Sequence, residues 1–213
     1  VNAMLASGAS PNTKDEDDVT ALMYAARKDR ADVVTALANK GADVNAKDKG
    51  GWTALMFAAK KNHVAAVKAL LEKGADPKVR DTAGWSAFGM AAVAGHAETV
   101  EVLVKHGVDP NSRSDDGKTV LMYAAKSGDV ATLKALLDHK ADLVAKDKLG
   151  TTALMVAARE GYAPAVALLA DYITGNQYTV VNQKDLSKWT ALTWAVKKSQ
   201  VEAAKVLIAK GAD

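Results

Sequence analysis

Hydrophobic positions along this chain fall into two kinds of short run that alternate. Alanine-rich runs such as LMFAAKK put Leu55, Ala58 and Ala59 at i, i+3 and i+4, one face of a helix. A few polar residues later, runs such as VAAVKALLEKG put Val64, Val67, Ala69, Leu70 and Leu71 on the apolar face of a second helix. Thr53 suits the N-cap of the first helix, because its hydroxyl can accept from an orphan amide, and Gly74 suits the left-handed residue that ends the second. Punctuation of the form Gly41-Ala42-Asp43, Gly74-Ala75-Asp76 and Gly107-Val108-Asp109 follows. The predicted unit is helix, turn, helix, then a loop with a turn at its tip.

The unit recurs. Thr20, Thr53, Ser86, Thr119 and Thr152 stand 33 residues apart, and Thr190 follows 38 after Thr152. This pattern predicts an all-α solenoid occupying 1–213 as one repeat domain. Its divisions are a partial N-terminal repeat over 1–15, repeats one to five at 16–48, 49–81, 82–114, 115–147 and 148–185, and a truncated C-terminal repeat at 186–213. The five extra residues fall within Asp171–Tyr178, where we expect the second helix to run on through Tyr172 and Ile173, a turn at Gly175-Asn176, and a lengthened loop. Val1–Ser10 aligns with Val34–Asp43, so the chain is expected to start inside a second helix, with more protein upstream to cover Val1, Met4 and Leu5.

The six copies TALMYAARKDR, TALMFAAKKNH, SAFGMAAVAGH, TVLMYAAKSGD, TALMVAAREGY and TALTWAVKKSQ resemble the ankyrin repeat, with its T-P-L-H-x-A core and G-A-D-V-N-type end. The resemblance covers essentially the whole chain. It implies stacked helix-turn-helix units, first helices lining a concave groove, hairpin tips projecting beside it, and a protein-binding role without catalysis. The proline of the family pattern is replaced by Ala21, Ala54, Ala87, Val120, Ala153 and Ala191. Its histidine is replaced by Met23, Met56, Gly89, Met122, Met155 and Thr193, so stiffness between repeats is expected to rest more on packing. The T-A-L-M spelling is similar to bacterial members.

Composition narrows the chemistry. A chain of 213 residues that is 49% hydrophobic can bury a sizeable core, and an absence of cysteine excludes disulfides, thiolate metal sites and a cysteine nucleophile. No run reaches the roughly 18 apolar residues of a membrane span. A soluble protein is expected, either cytoplasmic or, after loss of an upstream signal peptide, periplasmic or secreted. His63, His96, His106 and His139 lack ligand partners at close spacing, and Gly117-Lys118-Thr119 lacks the glycine of a phosphate-binding loop. Neither an active site nor a metal or cofactor site is predicted.

The letters that change between repeats point to binding. At about 100° per residue, Phe57, Lys60 and Lys61 face away from Leu55, Ala58 and Ala59. Across repeats the Phe57 place holds Tyr24, Phe57, Met90, Tyr123, Val156 and Trp194. The next place holds Arg27, Lys60, Val93, Lys126, Arg159 and Lys197, and its neighbour Lys28, Lys61, Ala94, Ser127, Glu160 and Lys198. These two columns carry eight cations against Glu160, while the chain is only +3 overall, so charge is segregated. The third repeat is apolar here, an arrangement suited to the centre of an interface, or one in which Gly89 makes room for a neighbouring loop. A second stripe, Trp52, Trp85 and Trp189, stands just before the capping residues on the hairpin tips. Trp52 and Trp85 are expected roughly 10 Å apart, the spacing of packed elements. The indoles either meet a partner or pack along their own hairpins.

The expected function is that of a monomeric scaffold. It would bind another, acidic protein through Arg27, Lys60, Lys61, Lys126, Arg159 and Lys197 with Tyr24, Phe57, Met90, Tyr123 and Trp194, aided by the three tip indoles, and could thereby occlude a partner enzyme. The alternative is nucleic-acid or nucleotide binding, with the same cations on phosphates and the rings stacking bases. A plain spacer would not need three tip tryptophans.

Overall fold

Every first helix begins where a hydroxyl takes up a backbone donor that the helix leaves unpaired. In the computed structural model, which describes residues 8–173, 175 and 177–213, Thr20, Thr53, Thr119 and Thr152 accept from the amides of Met23, Met56, Met122 and Met155. Ser86 and Thr190 accept in the same way from Gly89 and Thr193. Such a cap stabilises by about 1 kcal/mol. The described residues form thirteen helices, and their only β pairing is isolated bridges such as Lys14 with Thr20 and Arg113 with Thr119, which pinch the hairpins shut. The all-α repeat architecture is thus as expected.

The chain divides into two compact units. The first, Val1–Ala91 with Glu98–Val108, contains α1 (Ala21–Arg27), α2 (Ala31–Asn39), α3 (Ala54–Lys60), α4 (Val64–Glu72), the start of α5 (Ala87–Val93) and most of α6 (Ala97–Lys105). Its core includes Leu22, Met23, Leu37, Leu55, Met56, Leu70, Phe88 and Leu103, all fully buried. The second unit, Ala92–Ala97 with Asp109–Asp213, contains α7 (Val120–Ser127), α8 (Val130–Asp138), α9 (Ala153–Glu160), α10 (Ala163–Asp171), α11 (Gln177–Val181), α12 (Ala191–Lys197) and α13 (Val201–Ala209). Leu121, Leu133, Leu136 and Met155 fill its core. Each such side chain stabilises its unit by about 1.5–3 kcal/mol through burial. Met23, Met56, Met122 and Met155 occupy the place of the family's histidine as core residues.

Loss of that histidine does not leave the repeats tied by packing alone. In the first unit the Asn12 amide spans the carbonyl of Gly41 and the N–H of Asp43, and Asn45 spans Gly74 and Asp76 in the same way. Lys14 and Lys47 donate to the carbonyls of Lys47 and Arg80, one repeat on. In the second unit Asn111 bridges Lys140 and Asp142, Asn182 bridges Gly211 and Asp213, and Arg113 and Lys146 donate to the carbonyls of Lys146 and Lys184. Each bond contributes about 1 kcal/mol net, and together they fix the register of one repeat on the next.

The turn between paired helices needs a positive φ, supplied by Asp29, Asn62, Gly95, Gly128, Gly161 and Ser199. At Gly128 only glycine fits, since a Cβ there would lie 2.5 Å from the Tyr162 ring. Asn62 uses its side chain as well, its Oδ1 accepting from the Thr99 hydroxyl at 2.8 Å.

The lengthened segment differs from expectation. Helix α10 stops at Asp171 with Tyr172 as its C-cap, and does not run through Tyr172 and Ile173. The chain re-forms a helix at Gln177–Val181, which the sequence reading did not foresee. Of the expected Gly175-Asn176 turn, Asn176 lies outside the described residues, as do Val1, Met4 and Leu5.

Candidate functional site

Each hairpin presents its tip residue through an aspartate that organises the turn. Asp48 Oδ1 accepts from the Trp52 amide at 2.8 Å, Asp81 from Trp85 at 2.8 Å, and Asp185 from Trp189 at 3.0 Å. These bonds set the direction in which the indole leaves the backbone. It folds back toward the first helix, and Trp52, Trp85 and Trp189 are all half-buried. The tip stripe and the helix stripe, distinct in sequence, therefore meet.

In the first unit Trp52 lies against Phe57, ring centroids 5.0 Å apart, with the Lys60 ammonium 4.8 Å from the indole. The Arg27 guanidinium sits 5.6 Å from the Tyr24 ring and 5.3 Å from Phe57, joining one repeat to the next. Tyr24, 48% exposed, donates its hydroxyl to Asp15 Oδ2 at 2.9 Å. Asp15 is held below the usual carboxylate range, chiefly by the Val19 amide and further by Tyr24, and the same carboxylate raises the Tyr24 hydroxyl. Cations over ring faces in this way contribute about 0.5–1 kcal/mol each where exposed.

The third repeat is built differently. The Trp85 indole occupies the space over Gly89, whose added Cβ would touch it at 3.4 Å. That is an ordinary contact, and the atoms nearest to it belong to Trp85 and Ser86 of the same repeat. Met90, expected on the exposed wall, is 6% exposed and belongs to the core.

In the second unit Trp189 and Trp194 pair at 4.8 Å, with Lys197 3.8 Å from the Trp189 ring and Arg159 5.6 Å from Trp194. The Trp194 N–H donates to Asp185 Oδ2 at 2.9 Å, so one buried carboxylate orients both indoles. Tyr123 is half-buried, Lys126 is exposed, and Val156 is buried at 6% exposure where the helix stripe was expected to be open. Lys61 is exposed in the first unit and meets no ring given above.

Arg27, Lys60 and Lys197 thus remain exposed while lying on aromatic faces. The rings restrict where these cations sit. Glu160 accepts from Arg159 at 3.2 Å and offsets part of that charge. Among the described residues no group of histidines, aspartates and glutamates could hold a metal ion, and no helix is long and apolar enough to cross a membrane. His63 binds the Ala26 carbonyl at 3.0 Å, a structural role. A separate cleft of about 620 Å³ lies in the second unit against Leu137, Val144, Tyr172, Ile173 and Val180, and none of the expected binding residues lines it.

A family description, ankyrin repeats in three copies, matches residues 1–81, 73–147 and 143–213. The human ASB11 ankyrin repeat domain superposes with a TM-score of 0.86 at 26% identity, over 98% of this chain and 90% of that one. The ankyrin repeat domain of Bcl-3, a member of the IkappaB protein family, superposes with a TM-score of 0.82 at 24% identity, over 97% and 90%. Compared with curated protein sequences, the chain finds no match.

Proposed function

Because this chain belongs to the ankyrin repeat family, whose domains generally act as non-catalytic protein-binding scaffolds, we propose that it binds an acidic protein partner through the cation-bearing aromatic clusters of its first helices. The observation that carries the reading is the placing of exposed cations on ring faces, Arg27 and Lys60 in one unit and Lys197 in the other. A lysine left free in water loses much rotamer entropy when it binds, whereas one already resting on an indole loses less. The rings supply contact area at small entropic cost. Where the partner is an enzyme, a rigid face of this kind can cover its active site.

Nucleic acid is the weaker reading. Base stacking needs open ring faces, yet Phe57 carries both Trp52 and Arg27, and Trp194 carries Trp189 and Arg159.

The test uses lysate of the source organism and immobilised protein in three forms. They are the native chain, Lys60→Glu with Lys126→Glu, and a control with Lys68→Glu and Lys134→Glu on second helices. We expect one protein captured by the native and control forms and reduced about tenfold or more, equivalent to 1.4 kcal/mol, by the first-helix variant. Equal loss from both variants would reduce the effect to net charge and sink the reading. Capture dominated by nuclease-sensitive material would move the assignment to nucleic acid.

A further inference from the structure

The fifth repeat interrupts the aromatic plan, and the interruption is a cavity. In the place of Trp52 and Trp189 stands Thr151, and in the place of Phe57 and Trp194 stands Val156. Both are buried, at 8% and 6% exposure, so neither reaches the outer layer that the rings occupy elsewhere. What is left is a hollow of about 170 Å³ lined by Lys118, Met122, Tyr123, Lys126, Leu149 and Arg159, together with Thr151 and Val156. Drug-sized ligands and cofactors need some 300–1,000 Å³, so this hollow takes one side chain.

Its lining defines the side chain. Met122 and Val156 make an apolar floor, and Leu149, 66% exposed, stands as an apolar wall that water now covers. Three cations surround the space. Arg159 lies 5.6 Å from the Trp194 ring, Lys118 is held by Asp116, and Lys126 is exposed. The lining carboxylate, Asp147, is committed to the amides of Leu149 and Thr151 at 2.9 and 2.8 Å. In the next repeat the same register contains an indole with a lysine 3.8 Å from it.

We propose that this hollow receives an aromatic side chain of the partner protein, carried on an acidic segment, so that the partner supplies the ring that the fifth repeat lacks. The inference rests on the reading of the first-helix face as a protein-binding surface and deepens it. The ring would lie on Met122 and Val156 with its face to Lys126 and Arg159, a cation–π arrangement. Carboxylates flanking it in the partner would meet Lys118 and Lys126. An acidic side chain alone would leave Leu149 and the apolar floor wet, and an aliphatic one would gain nothing from the cations.

The experiment follows the backbone amides of the ¹⁵N-labelled full chain by NMR. The probes are two synthetic heptapeptides, Glu-Asp-Glu-Phe-Glu-Asp-Glu and its analogue with Ala in place of Phe. The expected result is shifts at Leu149, Thr151 and Val156 with the first peptide, and binding about tenfold weaker with the second. Thr151→Trp, which fills the hollow as Trp189 fills the corresponding place of the next repeat, should abolish those shifts while Thr152, Leu154 and the core keep their native resonances. Should that variant fold poorly, Lys126→Glu on the exposed rim should weaken the phenylalanine peptide about tenfold with the spectrum otherwise intact. Equal binding of both peptides, with shifts at Arg27 and Lys60 but none at Thr151, would overturn the pocket and leave the face standing. Absence of shifts with either peptide would overturn both. A short oligothymidylate that shifts the same three amides as strongly would overturn the assignment to a protein partner.

Discussion

Residues 147–159 and 185–197 share one backbone plan and differ in what fills it. In each, an aspartate Oδ1 accepts from the amide four residues on, and a threonine caps the helix that follows. Over the later stretch two indoles pack at 4.8 Å and a lysine covers one of them. Over the earlier stretch Thr151 and Val156 leave a hollow of about 170 Å³. A second helix pair repeats the contrast. Thr99 donates to Asn62 at 2.8 Å, whereas the Thr132 hydroxyl, equally buried, has no partner among the described residues, because Gly95 stands where Asn62 would be. The backbone of a repeat is held by caps and by ladders that reach the next repeat, independently of its outer letters. Filled and open versions of one place can therefore coexist within one unit, and the open ones are available to something else.

The largest expected effect comes from emptying the filled version. Trp194→Ala removes an indole and one of the bonds to buried Asp185, and should cost about 3 kcal/mol in urea unfolding, against about 1.5 kcal/mol for Val156→Ala. Equal costs would mean that the rings decorate the surface without supporting it. The threonine pair should respond with opposite signs. Thr132→Val removes a buried hydroxyl without a partner and should stabilise by about 1 kcal/mol, while Thr99→Val strands the Asn62 carbonyl and should destabilise by about the same amount. A loss of stability at both would show that Thr132 is satisfied in solution.

The smallest effect concerns the rim of the hollow. Asp116 is lowered from 3.8 to about 2, first by its bond from Lys118 and then by Ser114. A carboxylate with a depressed folded value contributes fully above the unfolded value and loses that contribution as pH falls. The window is therefore from about 4 down to 2. The pair is about half exposed, so screening limits Asp116→Asn to a few tenths of a kcal/mol at pH 7, fading in 1 M salt. The same change frees Lys118 toward the hollow and should tighten the phenylalanine heptapeptide about twofold by titration, on the order of 0.4 kcal/mol. Weaker peptide binding by this variant would show that Asp116 positions the lysine for its ligand.

Much of the fold was legible because the repeat states each element six times. The hydroxyl caps, the inward faces of Leu55, Ala58 and Ala59, and the exposure of Arg27, Lys60 and Lys126 all followed from helical periodicity. The inter-repeat ladders were legible too, and were missed. Asn12, Asn45, Asn111 and Asn182, and the cations Lys14, Lys47, Arg80, Arg113, Lys146 and Lys184, recur in register with the threonines. Their absence from the outward helix columns concealed them. Met90 and Val156 were placed outside because angle alone assigns a side chain to a face. Whether it is covered depends on the volume around it, and both are 6% exposed.

Short-range physics settled the rest of what the chain alone could specify. Period, caps, left-handed turns and buried methionines depend on residues within one repeat or its immediate neighbour, and hydrophobic spacing records them. Tertiary structure decided three things. It folded Trp52 back onto Phe57 in one unit and Trp189 onto Trp194 in the other, so that tip and helix residues meet within each. It ended α10 at Asp171 and started a further helix at Gln177. It left the fifth repeat hollow where the sixth is filled by two indoles. Each outcome depends on the direction of a side chain leaving its backbone and on the volume around it, and neither quantity is written in the order of residues.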